Sequence, residues 1–318
     1  MNKKDLAHLL KTNVKKFNEL RPEGEINLCG ADSNSSFKNH NLSGCNLRHA
    51  NLRKSNFIET KLKNSDLSRT ILDQAKFQRS NLRGSKIYYS SAQKTDFNSC
   101  DLSNCDFAES NLSGAGLSNT VLDNSYFIDT NLSMGYLSNA TANNTDFSGS
   151  NLSHRTINNS TFIDCILDKV NMIVCRAEDT TFSKSSLKQI DLKRSIFNKS
   201  RFDKLNLERS NLVFYKSLKC RYIKINFADS TFNNAHFIDC VFDRSFFSEC
   251  YLDSSVFINS NFHDCDLLGS RLNGCVFFNC DLKKSNFHKT VLNDCIFNNC
   301  NLDDAKLTNS ILNNTTIL

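Results

Sequence analysis

From Phe37 to Ile317 a large apolar residue returns at every fifth position. Of the 57 positions in that series, Leu or Phe fills 48; the others are Ile87, Ala92, Ala142, Ile157, Met172, Ala177, Ser217, Tyr222 and Ile317. The phase holds over 281 residues. Neither a helix, with its period of 3.6, nor a strand, with its period of 2, turns the same face inward every five residues. A fixed short period marks a solenoid, in which each coil buries its apolar groups against its neighbours. Two residues before each large residue stands a small one, as in Cys45, Ala50, Ser55, Thr60, Ser65 and Thr70. Large and small positions share a parity, so in extended backbone both point inward. The three remaining positions, rich in Asn, Asp, Lys, Arg, Ser and Gly, face water. One layer of large groups and one of small groups is what a narrow tube packed to ordinary density accommodates.

Before the repeats the period changes. Leu6, Leu9, Leu10, Val14, Phe17 and Leu20 recur at helical spacing, and Pro22-Glu23-Gly24 stops the run. Residues 1–25 are expected to form a helical cap on the first coil, and residues 26–318 a single repeat rod. The segment Ile26–Asp32 opens the repeats slightly out of phase. Lysines 3, 4, 11, 15 and 16 leave a second reading open for the leader, a basic amphipathic membrane anchor.

Asn46-Leu47-Arg48-His49-Ala50-Asn51-Leu52 and Ser110-Asn111-Leu112-Ser113-Gly114 resemble the A(D/N)LXX motif of the pentapeptide-repeat family, bacterial type with a helical leader. The resemblance covers roughly residues 28–318. It implies a right-handed quadrilateral parallel β-helix with four repeats per coil. On that basis the chain makes about 14 coils and, at ~4.8 Å between paired strands, a rod roughly 65 Å long. Proline cannot donate to the next coil, and the one proline, Pro22, precedes the repeats.

The 14 cysteines raise the question of disulfides or a metal site, but 13 of them occupy the small inward position and only Cys29 lies before the register. Cysteine is expected to serve here as a small apolar filler. Cys280 and Cys300 should stack in adjacent coils, as should Cys275 and Cys295, farther apart than a disulfide prefers. Thiols in this number suggest a cytoplasmic home. No stretch of 18 apolar residues spans a membrane, and the start lacks the apolar core of a signal peptide. Such a start is also compatible with delivery into a host cell by a specialised secretion system.

Catalysis needs groups that converge in a pocket, and a solid tube supplies none. The seven histidines are scattered, and in His263-Asp264-Cys265 the first two face solvent while the third faces inward. No P-loop, dinucleotide or G-x-S-x-G fingerprint occurs. The chain is expected to be no enzyme and to need no cofactor or metal.

Departures from the rule concentrate between 155 and 225. Arg155, Val170, Ile190, Leu205, Tyr215 and Ile225 stand at small positions, while Ala177 and Ser217 stand at large ones. Arg155, Tyr215 and Ser217 mark a candidate distortion, with Arg155 expected to turn outward because a buried guanidinium needs a partner. On the face that carries 237, 257, 277 and 297, the outward positions include Ile238, Val256, Ile258, Val276, Phe278 and Ile296. These line up over several coils as a candidate partner-binding patch, although β-branched residues also simply suit strands.

Charge is banded. Residues 35–94 carry 12 basic and 3 acidic groups, 95–179 carry 3 and 11, 180–224 carry 12 and 3, and 225–318 carry 6 and 11. The resemblance implies, as one function, DNA mimicry that protects gyrase from quinolones. The net charge of +6 departs from the acidic surface that role uses, and nucleic acid as a partner lacks interleaved aromatic residues. The chain is therefore read as a non-catalytic rod presenting a surface to a protein partner. Topoisomerase binding and a secreted effector acting in a host cell are the alternatives. A homodimer is expected through about 290–318, because Leu302, Leu307, Leu312 and Ile317 form a layer with nothing after it.

Overall fold

The computed structural model describes residues 13–20, 27–28 and 34–318. Leu6, Leu9, Leu10, Pro22 and Cys29 lie outside them, as do most of the expected cap and first coil. Within the described leader, α1 (Val14–Leu20) buries Phe17. Asn13 opens the helix by accepting the Lys16 N–H through its Oδ1. The Phe17 ring meets His40 edge-on at 5.4 Å. Asn18 holds the helix to the repeats from both ends of its amide, donating to Asn39 O and accepting from the Asn41 N–H.

Backbone pairing advances by 20 residues, or four five-residue units, at each step. Asn41 pairs with Lys61, Asn81 with Asp101 and Val256 with Val276, always in parallel. Through most of the repeats the large residue donates its N–H to a carbonyl 19 positions on, as Leu47 does to Asp66 at 2.7 Å. The strands are β1 (Thr141–Asn143), β2 (Thr161–Ile163), β3 (Arg176–Glu178), β4 (Thr181–Ser183), β5 (Ile196–Asn198), β6 (Arg201–Asp203) and β7 (Lys216–Leu218). They continue with β8 (Arg221–Ile223), β9 (His236–Ile238), β10 (Val241–Asp243), β11 (Val256–Ile258), β12 (Val276–Phe278), β13 (Ile296–Asn298) and β14 (Thr316–Ile317). From Thr141 to Ile317 they make about nine turns of an all-β parallel solenoid.

Two compact units divide at Asn151 and Leu152. In the first, parallel bridges between single residues carry nearly all the pairing. In the second, β2, β4, β6, β8 and β10 pair in that order, and so do β3, β5, β7, β9, β11, β12, β13 and β14.

Every fifth residue, two after the large one, turns a corner in the left-handed region, from Asn34 (φ 58°) to Asn314 (φ 52°). Asn and Asp tolerate that conformation best after glycine. Lys54, Tyr89, Val174 and Phe214 adopt it too, because the pairing on either side leaves the backbone no other course. The motif's Asn or Asp, immediately before the large residue, has its own task. Its Oδ1 accepts the N–H two residues on, as Asn46 does from Arg48 at 3.1 Å and Asp106 from Ala108 at 3.0 Å. That Asx turn bends the chain into the corner, and none of the 14 strands begins with Asn or Asp.

The interior is a set of stacked columns. In the first unit Phe37, Phe57, Phe77 and Phe97 stack at 4.5–5.0 Å between ring centroids. In the second unit, Phe162, Phe182, Phe202, Tyr222, Phe242 and Phe262 form a longer column. Phe237, Phe257, Phe277 and Phe297 form another. Offset ring pairs of this kind add about 0.5–1.5 kcal/mol each beyond the area they bury.

The small column fills the interior and, where it carries a hydroxyl or thiol, also donates hydrogen bonds. Ser65 Oγ donates to Leu42 O, and Thr95 Oγ1 to Leu72 O, each 23 residues back. The cysteines do the same: Cys105 Sγ donates to Leu82 O at 3.0 Å, and Cys275 Sγ to Leu252 O at 3.0 Å. The thiol thus adds weak donation to its filling of a small buried site, where other repeats carry a serine. Twelve of the 13 described cysteines are buried, Cys300 is half-buried, and all 13 are free.

Candidate interaction surface

Arg155 does not turn outward. It is buried, with 1% of its surface exposed. Burial lowers its pKa to about 10, and the neighbouring Cys175 thiol acts weakly in the other direction. At neutral pH the guanidinium therefore stays charged. The expectation weighed the cost of burying charge, but the side chain lies inside, beside the Cys175 thiol.

Tyr215 and Ser217 break no pairing either. Phe197, Ser217 and Phe237 remain in register across β5, β7 and β9. The large-for-small and small-for-large exchanges compensate inside. Ser217 vacates the volume that the Tyr215 ring enters, and both reach Tyr222. Tyr215 Oη lies 3.0 Å from Tyr222 Oη, which lies 2.8 Å from Ser217 Oγ. Ser217 Oγ is in turn 3.3 Å from Cys240 Sγ. Burial pushes both phenols well above the usual tyrosine range, so the cluster stays neutral.

The six residues of the apolar patch fall in two parallel columns. Val256, Val276 and Ile296 are aligned at the first position of β11, β12 and β13. Ile238, Ile258 and Phe278 are aligned at the third position of β9, β11 and β12. Phe278 and Ile296 are 41% and 40% exposed, and the other four are half-buried. Sequence reading stopped one step short. Leu218 of β7 pairs with Ile238 and extends the second column, with Ile196 and Phe214 exposed beside it. The 20-residue repeat of positions 218, 238, 258 and 278 was the signal available. Around Ile196 and Lys216 the face dips into two adjoining shallow hollows, one bounded by Arg194 and Phe214 and the other by Leu218, His236 and Ile238. The Arg194 guanidinium stands 5.8 Å above the Phe214 ring.

Beside the apolar columns runs a polar row at the left-handed corner. Asn259 donates to Asp239, Asn279 to Asn259 and Asn299 to Asn279, at 2.8–3.2 Å. Of the residues expected at a dimer end, Leu302 and Leu307 are half-buried, and Leu312 and Ile317 are 40% and 57% exposed. Among the described residues no group of three or more His, Cys, Asp or Glu is placed to hold a metal ion. No described helix is long and apolar enough to cross a membrane.

Comparison with solved structures finds HetL, a pentapeptide repeat protein involved in heterocyst differentiation regulation in the cyanobacterium Nostoc sp. strain PCC 7120. It is 17% identical, with a TM-score of 0.41, over 100% of this chain and 97% of its own. Full-length QnrB1, a plasmid-mediated fluoroquinolone resistance protein, is 17% identical with a TM-score of 0.39, over 54% of this chain and 90% of its own. A pentapeptide repeat protein from the Arabidopsis thaliana thylakoid lumen is 22% identical with a TM-score of 0.18, over 32% of this chain and 63% of its own. No curated protein matches the chain. The family profile described as Pentapeptide repeats matches in eight copies, among them residues 33–69, 65–104, 105–141, 178–212, 247–279, 255–294 and 275–314. These ranges cover more than half of the sequence, and the chain belongs to the pentapeptide repeat family.

Proposed function

We propose that the protein is a non-catalytic scaffold that presents the face of β7, β9, β11, β12 and β13 to a protein partner. The observation that carries this reading is the pair of outward apolar columns, from Leu218 to Phe278 and from Val256 to Ile296, on a chain whose outward positions are otherwise mostly polar. Contiguous exposed apolar area of this kind is what interaction sites use. Site-specific photo-cross-linking from position 276 in a cell lysate should yield one discrete adduct. An Ile258→Asp, Phe278→Asp variant should lose it. No adduct, or one indifferent to the substitutions, would overturn the reading.

The finer architecture belongs to the same proposal: a right-handed, four-sided winding of about 14 coils, four repeats to each coil, with the N-terminal helix as its cap. So do a bacterial source and a cytoplasmic home. The layer of Leu302, Leu307, Leu312 and Ile317 supports a homodimer joined through about 290–318. Light scattering on the wild type and on a Leu312→Asp, Ile317→Asp variant tests it, and a wild-type monomer at tens of micromolar would sink it. Binding to a topoisomerase as a DNA mimic is the competing reading. Its best support is the stretch 95–179, with 11 acidic and 3 basic groups. The bands 35–94 and 180–224, each 12 basic against 3 acidic, oppose docking on a basic DNA site. Purified protein should leave gyrase supercoiling, with or without quinolone, unchanged; clear protection would reverse the preference.

A further inference from the structure

The face changes character along its length, and the change specifies an occupant. At the β5 and β7 end stand Lys193, Arg194, Lys216 and Lys219, beside Ile196, Phe214 and Leu218. None of these four cations is ion-paired among the described residues, whereas Lys199 on the same face is held by Glu178 at 3.0 Å. From β9 to β13 the cations cease. Ile238, Val256, Ile258, Val276, Phe278 and Ile296 are bordered instead by the row of Asp239, Asn259, Asn279 and Asn299, in which each amide donates to the residue 20 positions before it. One end is basic, and the other is apolar with a polar, cation-free rim that carries the Asp239 carboxylate.

We propose that this face receives an amphipathic α-helix of a partner protein, with carboxylates gathered at one end and an apolar stripe over the rest. The inference rests on the protein-binding reading above. Three physical points select this occupant. The backbone groups of the face are already bonded to the next step, so an added β-strand has nothing to pair with there. Apolar groups recur along each column at the inter-strand spacing of ~4.8 Å. A helix offers side chains of one face every ~5.4 Å, close to that step, whereas an extended peptide offers them every ~6.6 Å. A membrane surface fits poorly, since an interfacial site carries its cations around the apolar area rather than beyond one end of it. Ile196 to Ile296 is five steps, about 24 Å, which a helix of about 16 residues covers at 1.5 Å per residue.

The test uses the full chain and synthetic fluorescent peptides. Each is about 16 residues long, with leucines at i, i+3, i+4 and i+7 spacing. Two carry four glutamates, at the N-terminal or the C-terminal end, and two carry lysines instead. Fluorescence anisotropy should show saturable binding of one glutamate peptide, at least about tenfold tighter than its lysine counterpart. An Arg194→Glu, Lys216→Glu variant should reverse that order, binding the lysine peptide better. Phe278→Asp should weaken both peptides. If neither glutamate peptide binds, if the two charge types bind alike, or if reversal does not exchange them, the inference fails. Co-sedimentation with phosphatidylserine vesicles in the absence of peptide binding would assign the face to lipid and also overturn it. If the photo-cross-linked adduct persists and depends on Phe278 while no helix binds, the protein-binding reading survives and only the helical occupant is lost.

Discussion

The repeats up to Asn151 and those from Leu152 obey one inward rule and two outward ones. Asn or Asp precedes 12 of the 23 large positions from 37 to 147, but only 11 of the 34 from 152 to 317. Where an Asx residue stands there, its side chain takes the N–H two residues on and bends the chain sharply. Where Ile, Val, Thr, Arg or Lys stands there repeatedly, as at 176, 196, 216, 256 and 276, the backbone stays extended for three residues and pairs as a strand. Thirteen of the 14 strands lie beyond Leu152, although the column of Thr231, Tyr251, Arg271, Val291 and Ile311 keeps single-residue bridges with no Asx residue in it. At the strand corners the N–H of the small residue goes to the hydroxyl 20 residues on, Cys165 donating to Ser185 Oγ and Cys240 to Ser260 Oγ, a bond that Thr60 and Cys105 of the first unit also make. An outward residue therefore sets the local path of the backbone as well as the character of the surface. The apolar face follows from the same substitutions that made the strands.

If the interior rule is common to both units, equivalent truncations should cost the same in each. Phe57→Ala and Phe257→Ala remove rings from stacked columns of four, both fully or almost fully buried. Each should destabilise its unit by about 3–5 kcal/mol in denaturant unfolding. A difference of more than about 2 kcal/mol between them would break the comparison.

The exchange at Tyr215 and Ser217 exists only in the second unit and should behave as a coupled pair. Ser217→Leu alone overfills the interior, at a cost of about 1–3 kcal/mol. Tyr215→Ser alone leaves a cavity and strips Tyr222 of a partner. Together they restore the rule of the surrounding repeats, and the double variant should be clearly more stable than the sum of the single effects allows. Additive losses would show that volume compensation is not what links the two sites.

The outward rule predicts smaller effects of opposite kind. Asn111→Val removes the bond to the Ser113 N–H and should cost about 1 kcal/mol. Val256→Asn supplies an Asx residue where none is used and should change stability by less than about 0.5 kcal/mol. Equal losses at both would mean that Asx turns and strand corners are not alternative solutions.

The smallest effect is on reactivity rather than stability. The neighbouring Cys280 thiol lowers the pKa of the half-buried Cys300, while burial pushes Cys105 and Cys265 up to about 12. Near neutral pH, maleimide should label Cys300 of the native protein first, and the buried thiols only on unfolding. A native protein that reacts at most of its 13 described cysteines would overturn their place in the interior.

The interior was legible because it has one code, repeated without slippage: Leu and Phe at one position, small groups two before it. The alignment of Ile258 with Phe278 was equally legible once the 20-residue step was assumed. What escaped reading were the interactions between positions that the repeat treats as independent. Tyr215 and Tyr222 stand on different edges of the winding and meet only inside it. Cys105 counts as apolar by composition, yet finds a carbonyl 23 residues back. Arg155 was judged by the cost of burying charge, and no local pattern shows that its side chain lies inside, beside the Cys175 thiol. The basic end of the face was visible as a band of charge from 180 to 224, but its junction with the apolar columns needed Leu218 and Ile196 placed beside Lys216.

The five-residue unit and the 20-residue step carry separate rules for how such a chain can change length. Adding or deleting one residue throws every following side chain out of phase with the interior, and folding should fail from that point on. Removing five between, say, Asn259 and Phe277 preserves the phase of large and small groups, so the interior survives. It brings every later outward residue one place round the winding, so that Phe278 no longer follows Ile258. A sequence of this kind can therefore lose its recognition face in one edit while keeping its fold, and only edits of 20 preserve both. Gain and loss of binding in such chains need no substitution at the surface at all.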